Sequence, residues 1–370
     1  MMTRSNRGRG WLSAVVPATV MLAAMSGPAG AETLDNDALQ IELNEMAKQI
    51  KSVIDKRGGG AVAVGGFSAA SSIRGSSGPE IQIKLQQALQ SLKPPVVVNS
   101  DVYRFEVLGN YLPFVDQSTK LEGVKVVGRV VDAGDGLTLA EFPRFVFGEE
   151  TVPRLLGLSV HTPPTNDPKV RSDAFKDAGK NPHSSAEGSR ISNRGSPYAI
   201  ELLVKKGVSY VARKAAADSN GRPFVPINKN EVYGIRLIND SNHEAAVRLT
   251  IDGVNVLEFT ELKSRPKFWV IPAGRKADIL GWHKNQSHSL EFKVTEFPDT
   301  AAAKIKLKPS PSIGSITASF SAAWEMDSDK PADELRSRGT GFGEEITFKT
   351  KTVERSIGRT RDSITVRYER

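Results

Sequence analysis

The sequence predicts an α+β protein of two domains: a small α/β unit with helices on a sheet, followed by an antiparallel β-sandwich. Three observations lead there. Apolar residues recur at helical spacing in the first third of the chain, and they alternate with a period of two beyond Pro197. Between these regions, Thr162 to Pro197 is dominated by Pro, Ser, Asn, Asp and Lys and carries few large apolar residues. The expected layout is a signal peptide over 1–31, an α/β adaptor-like domain over 35–160, a flexible linker or loop over 162–197, and a sandwich over 198–370. A chain of 370 residues is long enough for two cores of ordinary size.

The N-terminus points to export. Arg4, Arg7 and Arg9 precede the apolar run "WLSAVVPATVMLAAM", and Ala29-Gly30-Ala31 has the small-x-small form of a cleavage site. The mature chain is expected to begin at Glu32 in the periplasm or outside the cell. Pro17 and Thr19 interrupt the run, which is short for a bilayer, so no stable membrane span is expected after processing. The arginines are not adjacent, which argues against the twin-arginine route. There is no cysteine, hence neither a disulfide nor a lipid on an N-terminal Cys, and the fold must rest on core burial. Loss of Arg4, Arg7 and Arg9 lowers the formal net charge from +8 to +5. From Asp327 onward ten Lys or Arg face nine Asp or Glu, with no basic block interleaved with aromatics. Nucleic acid is therefore not an expected partner.

Each element has its own signal. Leu39, Leu43, Met46, Ile50 and Val53 form a stripe on one helix, with Asp35 to Asp37 as N-cap candidates and Gly58 as a stop. "AVAVGGF" is a short buried strand. A second helix follows in "GPEIQIKLQQALQSL", where Pro79 suits the first turn and Ile81, Leu85, Ala88, Leu89 and Leu92 share a face. "VVVNSD", "VKVVGRVVDAG" and Leu137 to Phe147 are expected strands, and Thr151 to Leu156 a short helix. Beyond Pro197, "YAIELLVKK", "EVYGIRLIND", "AAVRLTIDGVNVLEF", "KFWVIPAG", "KADILGW", "SLEFKVTEF", "SITASFSAAWE", "EITFKTKTVE" and "DSITVRYER" all alternate as strands. Asp252-Gly253 marks a two-residue hairpin, because both central positions of a type I′ turn need positive φ. Pro272 to Gly274 and Asn239 to Asn242 are further expected turns.

Between Leu39 and Asp132, the order "AVAVGGF", helix, "PPVVVNSD", "VKVVGRVVDAG" resembles the small α/β domain of three families. These are the curli secretion-channel family, the penicillin-binding-protein activator lipoproteins and the TolB N-terminal domain. Gly128-Arg129-Val130 stands in the last strand of that pattern. The resemblance implies an envelope adaptor domain without catalytic residues; the anchor cysteine of the lipoprotein members is missing here. From about Glu231 to Arg370, "YGIRLINDSNHEAAVRLTIDGVNV", "VIPAGRKADILGWHK" and "RGTGFGEE" followed by "TVRYER" resemble an exported bacterial domain of unknown function. That likeness implies a shared fold and carries no chemistry.

Motifs that could carry chemistry are weak. "GTGFGEE", Gly339 to Glu345, has the glycines of a phosphate loop but runs into an alternating strand. Glu344 and Glu345 stand where a lysine is needed, so a structural turn is expected and no nucleotide. His161, His183, His243, His283 and His288 are scattered and are expected in loops; no metal is predicted. "DGVN" lacks the acidic spacing of a calcium loop, and no Gly-x-Ser-x-Gly elbow offers a nucleophile. Trp269, Trp282 and Trp324 are expected in the core or at the rim of the sandwich. With no catalytic, cofactor-binding or metal residue assigned, the expectation is a non-enzymatic binding or assembly module of the cell envelope, partnered by an envelope protein or a cell-wall component. The alternative is an enzyme, or an enzyme activator, acting on cell-wall polymer with acids such as Asp252 or Glu344 in a cleft.

Overall fold

The computed structural model describes residues 20–24 and 37–368, apart from 74, 100, 166, 182, 219–221, 297–298, 308–312, 333 and 335–349. In chain order the first elements are β1 (Val20–Ala24), α1 (Ala38–Lys56), β2 (Val62–Ala69), α2 (Gly78–Gln90), β3 (Phe105–Val115), β4 (Glu122–Asp132) and β5 (Thr138–Val146). Then come α3 (Thr151–Leu156), β6 (Val160–His161), α4 (Pro168–Lys180), β7 (Ser184–Glu187), β8 (Arg190–Asn193), β9 (Tyr198–Lys206), β10 (Ser209–Ala212), β11 (Ala216–Ala217) and β12 (Pro223–Phe224). The remainder are β13 (Val232–Asn239), β14 (Glu244–Ile251), β15 (Val254–Asn255), β16 (Phe268–Ile271), β17 (Arg275–Ile279), β18 (Gly281–Asn285), β19 (His288–Lys293), α5 (Ala301–Lys304), β20 (Ser315–Trp324), β21 (Thr350–Glu354) and β22 (Ser356–Arg367). The fold is mixed, mostly strands with few helices. The cleavage site at Ala29 to Ala31 and the "GTGFGEE" stretch lie outside the described residues.

The first core is helix on sheet. Asp37 starts α1 by accepting the Gln40 backbone N–H at 3.3 Å, and Leu39, Leu43, Met46, Ala47, Ile50 and Ile54 are buried along one stripe. Full burial of one such aliphatic side chain is worth about 1.5–3 kcal/mol, against about 1 kcal/mol for a cap. The stripe therefore holds α1 in place and the cap sets where it begins. Below it run β2, β3, β4 and β5 in that order, β2 parallel to β3 and the rest antiparallel. Val64, Phe67, Val107, Tyr111, Val126 and Val130 of this sheet meet the apolar faces of α1 and α2 in one core.

One strand differs from expectation. Among the described residues "VVVNSD" forms no strand; it makes a bridge, Val62 to Val98, and then turns at Asn99, which sits at φ 53°. Asn99 docks on β2 through its side chain, its Oδ1 accepting the Val64 N–H at 2.9 Å. The parallel neighbour of β2 is β3, whose Gly109, Asn110 and Pro113 look like turn residues in sequence. Full antiparallel pairing with β4 from Phe105 to Val115 keeps them extended.

The predicted linker over 162–197 is corrected. It holds α4, β7 and β8, and Ile191 and Ser192 of β8 pair with Ile200 and Ala199 of β9. Its few apolar residues are used efficiently, since Phe175 and Ala178 pack on Val160. Polar side chains do the rest. Arg171 pairs with Glu149 at 2.6 Å and donates to the Thr360 carbonyl at 3.1 Å. Asn193 donates to Asp362 and to the Ser363 carbonyl, while His161 Nδ1 lies 3.1 Å from the same buried carboxylate. Composition registers low hydrophobicity here but not these bonds to strands formed much later in the chain.

The remaining strands pack as two largely antiparallel sheets. Among the described residues one runs β11-β12-β22-β20-β14-β16-β1-β21, with β15 on β14 and β6 on β22; the other runs β18-β19-β13-β9-β8-β7, with β10 on β9 and β17 on β13. Alternate residues of both, such as Ile200, Leu202, Ile235 and Leu237 against Val247, Leu249, Ile316, Phe320, Ile364 and Val366, fill one core between them. This is the alternation read from the sequence, and it is consistent with a sandwich. Trp269 and Trp324 are buried and Trp282 packs at the core margin.

The Asp252-Gly253 turn forms as expected, with φ of 50° and 76° between β14 and β15. It also joins the two cores. Asp252 Oδ1 accepts from Ser76 Oγ at 3.0 Å, Gly314 N at 2.6 Å and Ser315 N at 3.0 Å, and Oδ2 accepts from the Tyr368 hydroxyl at 2.7 Å. A Cβ on Gly253 would stand 2.8 Å from the Ser77 Cα, so glycine is needed here for close approach as well as for its φ. Asp252→Ala is expected to lower unfolding free energy by about 3 kcal/mol or more, because stranding a buried donor costs about 1–3 kcal/mol each. Urea denaturation of the full chain checks this, and a loss below about 1 kcal/mol would show that the junction is held elsewhere.

Candidate binding cleft

Where the turn meets the helices, a cleft of about 720 Å³ opens between α1, α2, the end of β14 and the loop that leads to β16. Its walls are charged. From α1 and α2 come Asp37, Gln40, Glu80 and Lys84; from the other side come Arg248, Asn255, Glu258, Arg265 and Lys267. The helices place their set through the 3.6-residue period: Glu80 and Lys84 are one turn apart, with Nζ 3.9 Å from Oε1. Ile83 and Leu257 add apolar lining.

A buried ionic chain underlies the helix wall. Lys84 pairs closely with Asp37, and Arg154, 3 % exposed, pairs closely with Glu80. Arg248 pairs with Glu150 at 3.0 Å and lays its guanidinium 4.8 Å from the Phe268 ring centroid. Burial by itself would raise the Asp37 pKa; the fields of Arg154 and Lys84 outweigh it and hold the carboxyl well below the usual range. Glu80 also lines the cleft, and its Oε2 is buried with no hydrogen-bond partner among the described residues.

Glu258 behaves differently. Its side chain faces open space in the cleft, yet the walls withdraw enough water to raise its carboxyl pKa, with Lys84 and Arg265 opposing the shift. The site thus offers an ionised carboxylate at one wall, a more easily protonated one at the other, and cations on both walls. Such a surface can hold a polar, zwitterionic ligand by complementary charge and hydrogen bonding.

The residues singled out in the sequence lie elsewhere. Asp252 accepts the four hydrogen bonds of the junction and is not among the residues that line the cleft, and Glu344 lies outside the described residues. The histidines are not all in loops, since His161, His283 and His288 lie in strands. His283 is buried with neither ring nitrogen hydrogen-bonded among the described residues, and burial lowers its pKa. His288, across the β18–β19 turn, is exposed, so the pair is not brought together. Among the described residues no three potential metal ligands cluster, and no helix is long and apolar enough to cross a membrane. Apart from Asp37, named as an N-cap candidate, the cleft residues were not legible as a site. Glu80 and Lys84 are a local pair, but Arg248 and Glu258 arrive from more than 160 positions away.

The Asp37 shift has a sign. A carboxyl whose folded pKa lies below its ordinary 3.8 stabilises the fold fully above that value and loses the contribution as pH falls through and below it. Asp37→Asn is therefore expected to be less stable than wild type at pH 7 and to lose less on going from pH 5 to pH 3. Thermal melts across that range test it; parallel loss in both proteins would mean Asp37 carries no net linkage. No known protein family, curated protein or solved structure matches this chain.

Proposed function

We propose that the protein is an exported, non-enzymatic binding or assembly module of the cell envelope, with the charged cleft as its ligand site. The observation that carries this is the cleft's composition: carboxylates, cations and side-chain amides face one another across a space large enough for several sugar or peptide units. The matching ligand is an extended polar chain bearing both charges, as a peptide-substituted cell-wall glycan does. Export rests on the leader-like N-terminus, and the envelope setting on the resemblance of residues 39–132 to envelope adaptor domains. In this reading 35–160 and 198–370 act as two domains, with the ligand lying across their junction.

Glu258 favours a second reading, in which the protein acts on that polymer. A carboxyl with a raised pKa, facing cations in a cleft, is suited to donate a proton to a leaving group. One assay separates the two. The protein is incubated with purified peptidoglycan sacculi; co-sedimentation reads binding and released soluble fragments read turnover. Binding without release is expected, and Arg265→Glu with Lys267→Glu should raise the apparent dissociation constant about tenfold, the equivalent of about 1.4 kcal/mol. Unchanged retention by the double variant sinks the cleft as the site. Fragment release that disappears in Glu258→Gln establishes the enzymatic reading instead.

A further inference from the structure

β16 is buried on both faces. Trp269 and Ile271 join the core between the sheets, while Phe268 and Val270 pack with Ala246, Ala323 and Val353 on the opposite side. A strand so placed needs both edges paired, because buried backbone N–H and C=O groups without partners are costly. One edge pairs with β14. The other pairs with β1 in antiparallel register, Met21 opposite Val270, Leu22 opposite Trp269 and Ala23 opposite Phe268. The far edge of β1 pairs in parallel with β21, from Val20 opposite Thr350 to Ala24 opposite Glu354. Just past β21, Arg355 is tied to Glu244 at 2.5 Å and to Glu325 at 3.3 Å, which fixes that wall to the start of β14 and the end of β20.

β1 belongs to the apolar run of the export leader. Cleavage after Ala31 removes it and leaves β16 facing β21 across an empty strand position. We propose that this position is a strand-acceptor site: Val20–Ala24 fills it before processing, and afterwards it takes an extended apolar segment of an exported partner protein, antiparallel to β16. The proposal rests on the export reading above. The occupant is a single strand, because walls two strand spacings apart, about 10 Å, admit one chain and not the edge of another sheet. It comes from a different protein, because the segment of this chain that fits has left with the leader. Backbone pairing on both edges supplies affinity, and the apolar neighbours Phe268, Val270 and Val353 select apolar side chains.

The test uses the chain as isolated from the envelope and a labelled peptide of residues 18–26. N-terminal sequencing should return Glu32, and fluorescence anisotropy should show saturable peptide binding. Proline at Leu22 or at Ala23 of the peptide should each weaken binding at least tenfold, since successive N–H groups point to opposite walls and either change deletes one bond. Equal binding of the proline peptides, or no saturable binding to a chain that begins at Glu32, overturns the proposal and leaves export intact. A retained leader overturns both. A processed chain that sediments as a dimer and is dissociated by the peptide replaces the foreign partner with a second copy, and so also overturns the proposal.

Discussion

The Asp252 carboxylate is the point on which the arrangement of the two cores depends. Four donors from three distant parts of the chain converge on it: Ser76 ahead of α2, the Gly314–Ser315 backbone at the entry to β20, and Tyr368 at the end of β22. Around it Ser76 N donates to Ser315 Oγ at 3.1 Å, and Ser77 N donates to the Tyr111 hydroxyl at 3.0 Å, which carries the network into the first core. An apolar contact could bury as much surface without choosing an orientation. Directed bonds to one carboxylate choose it, because each lost bond strands a buried donor. This matters more in a chain without cysteine, where no disulfide can fix one core against the other.

The cleft is a consequence of that junction. Gly253 sits against Ser77, so the β14–β15 turn is held beside the start of α2, and Arg248 and Asn255 are carried to face Glu80 and Lys84. The ionic chain beneath would be a poor source of stability by itself, since taking charges from water offsets much of what their attraction returns. Its effect is to fix geometry and charge state: Asp37 stays ionised under Lys84 and Arg154, and the wall remains polar instead of closing as an apolar seam.

How much of this the sequence discloses depends on the range over which each signal acts. Local signals were reliable. The α1 stripe, the α3 boundaries and the Asp252-Gly253 turn are set within a few residues and are found where they are expected, while of the expected strand "EITFKTKTVE" only Thr350–Glu354 lies among the described residues. Failures occurred where a distant partner decides. β3 keeps Gly109 and Pro113 extended because β4 pairs with it along its whole length, and the 162–197 segment folds because Asp362 and the Thr360 carbonyl receive its polar side chains. The cleft belongs to the second kind. Glu80 and Lys84 show up as a helical pair, but nothing near Arg248 or Glu258 in sequence indicates what they will face.

The same distinction bears on the apolar run near the N-terminus. Read locally, Val20–Ala24 is part of an apolar run of signal-peptide length, and that reading needs no partner. In the folded chain those residues pair on both sides, with β16 and with β21, and β16 carries core residues on both faces. The two descriptions are compatible because a leader core and a strand paired on both edges both allow a backbone free to extend. Proline at Leu22 would leave the hydrophobicity of the run largely intact while deleting a strand hydrogen bond, so the two readings separate on the backbone N–H and not on the side chains.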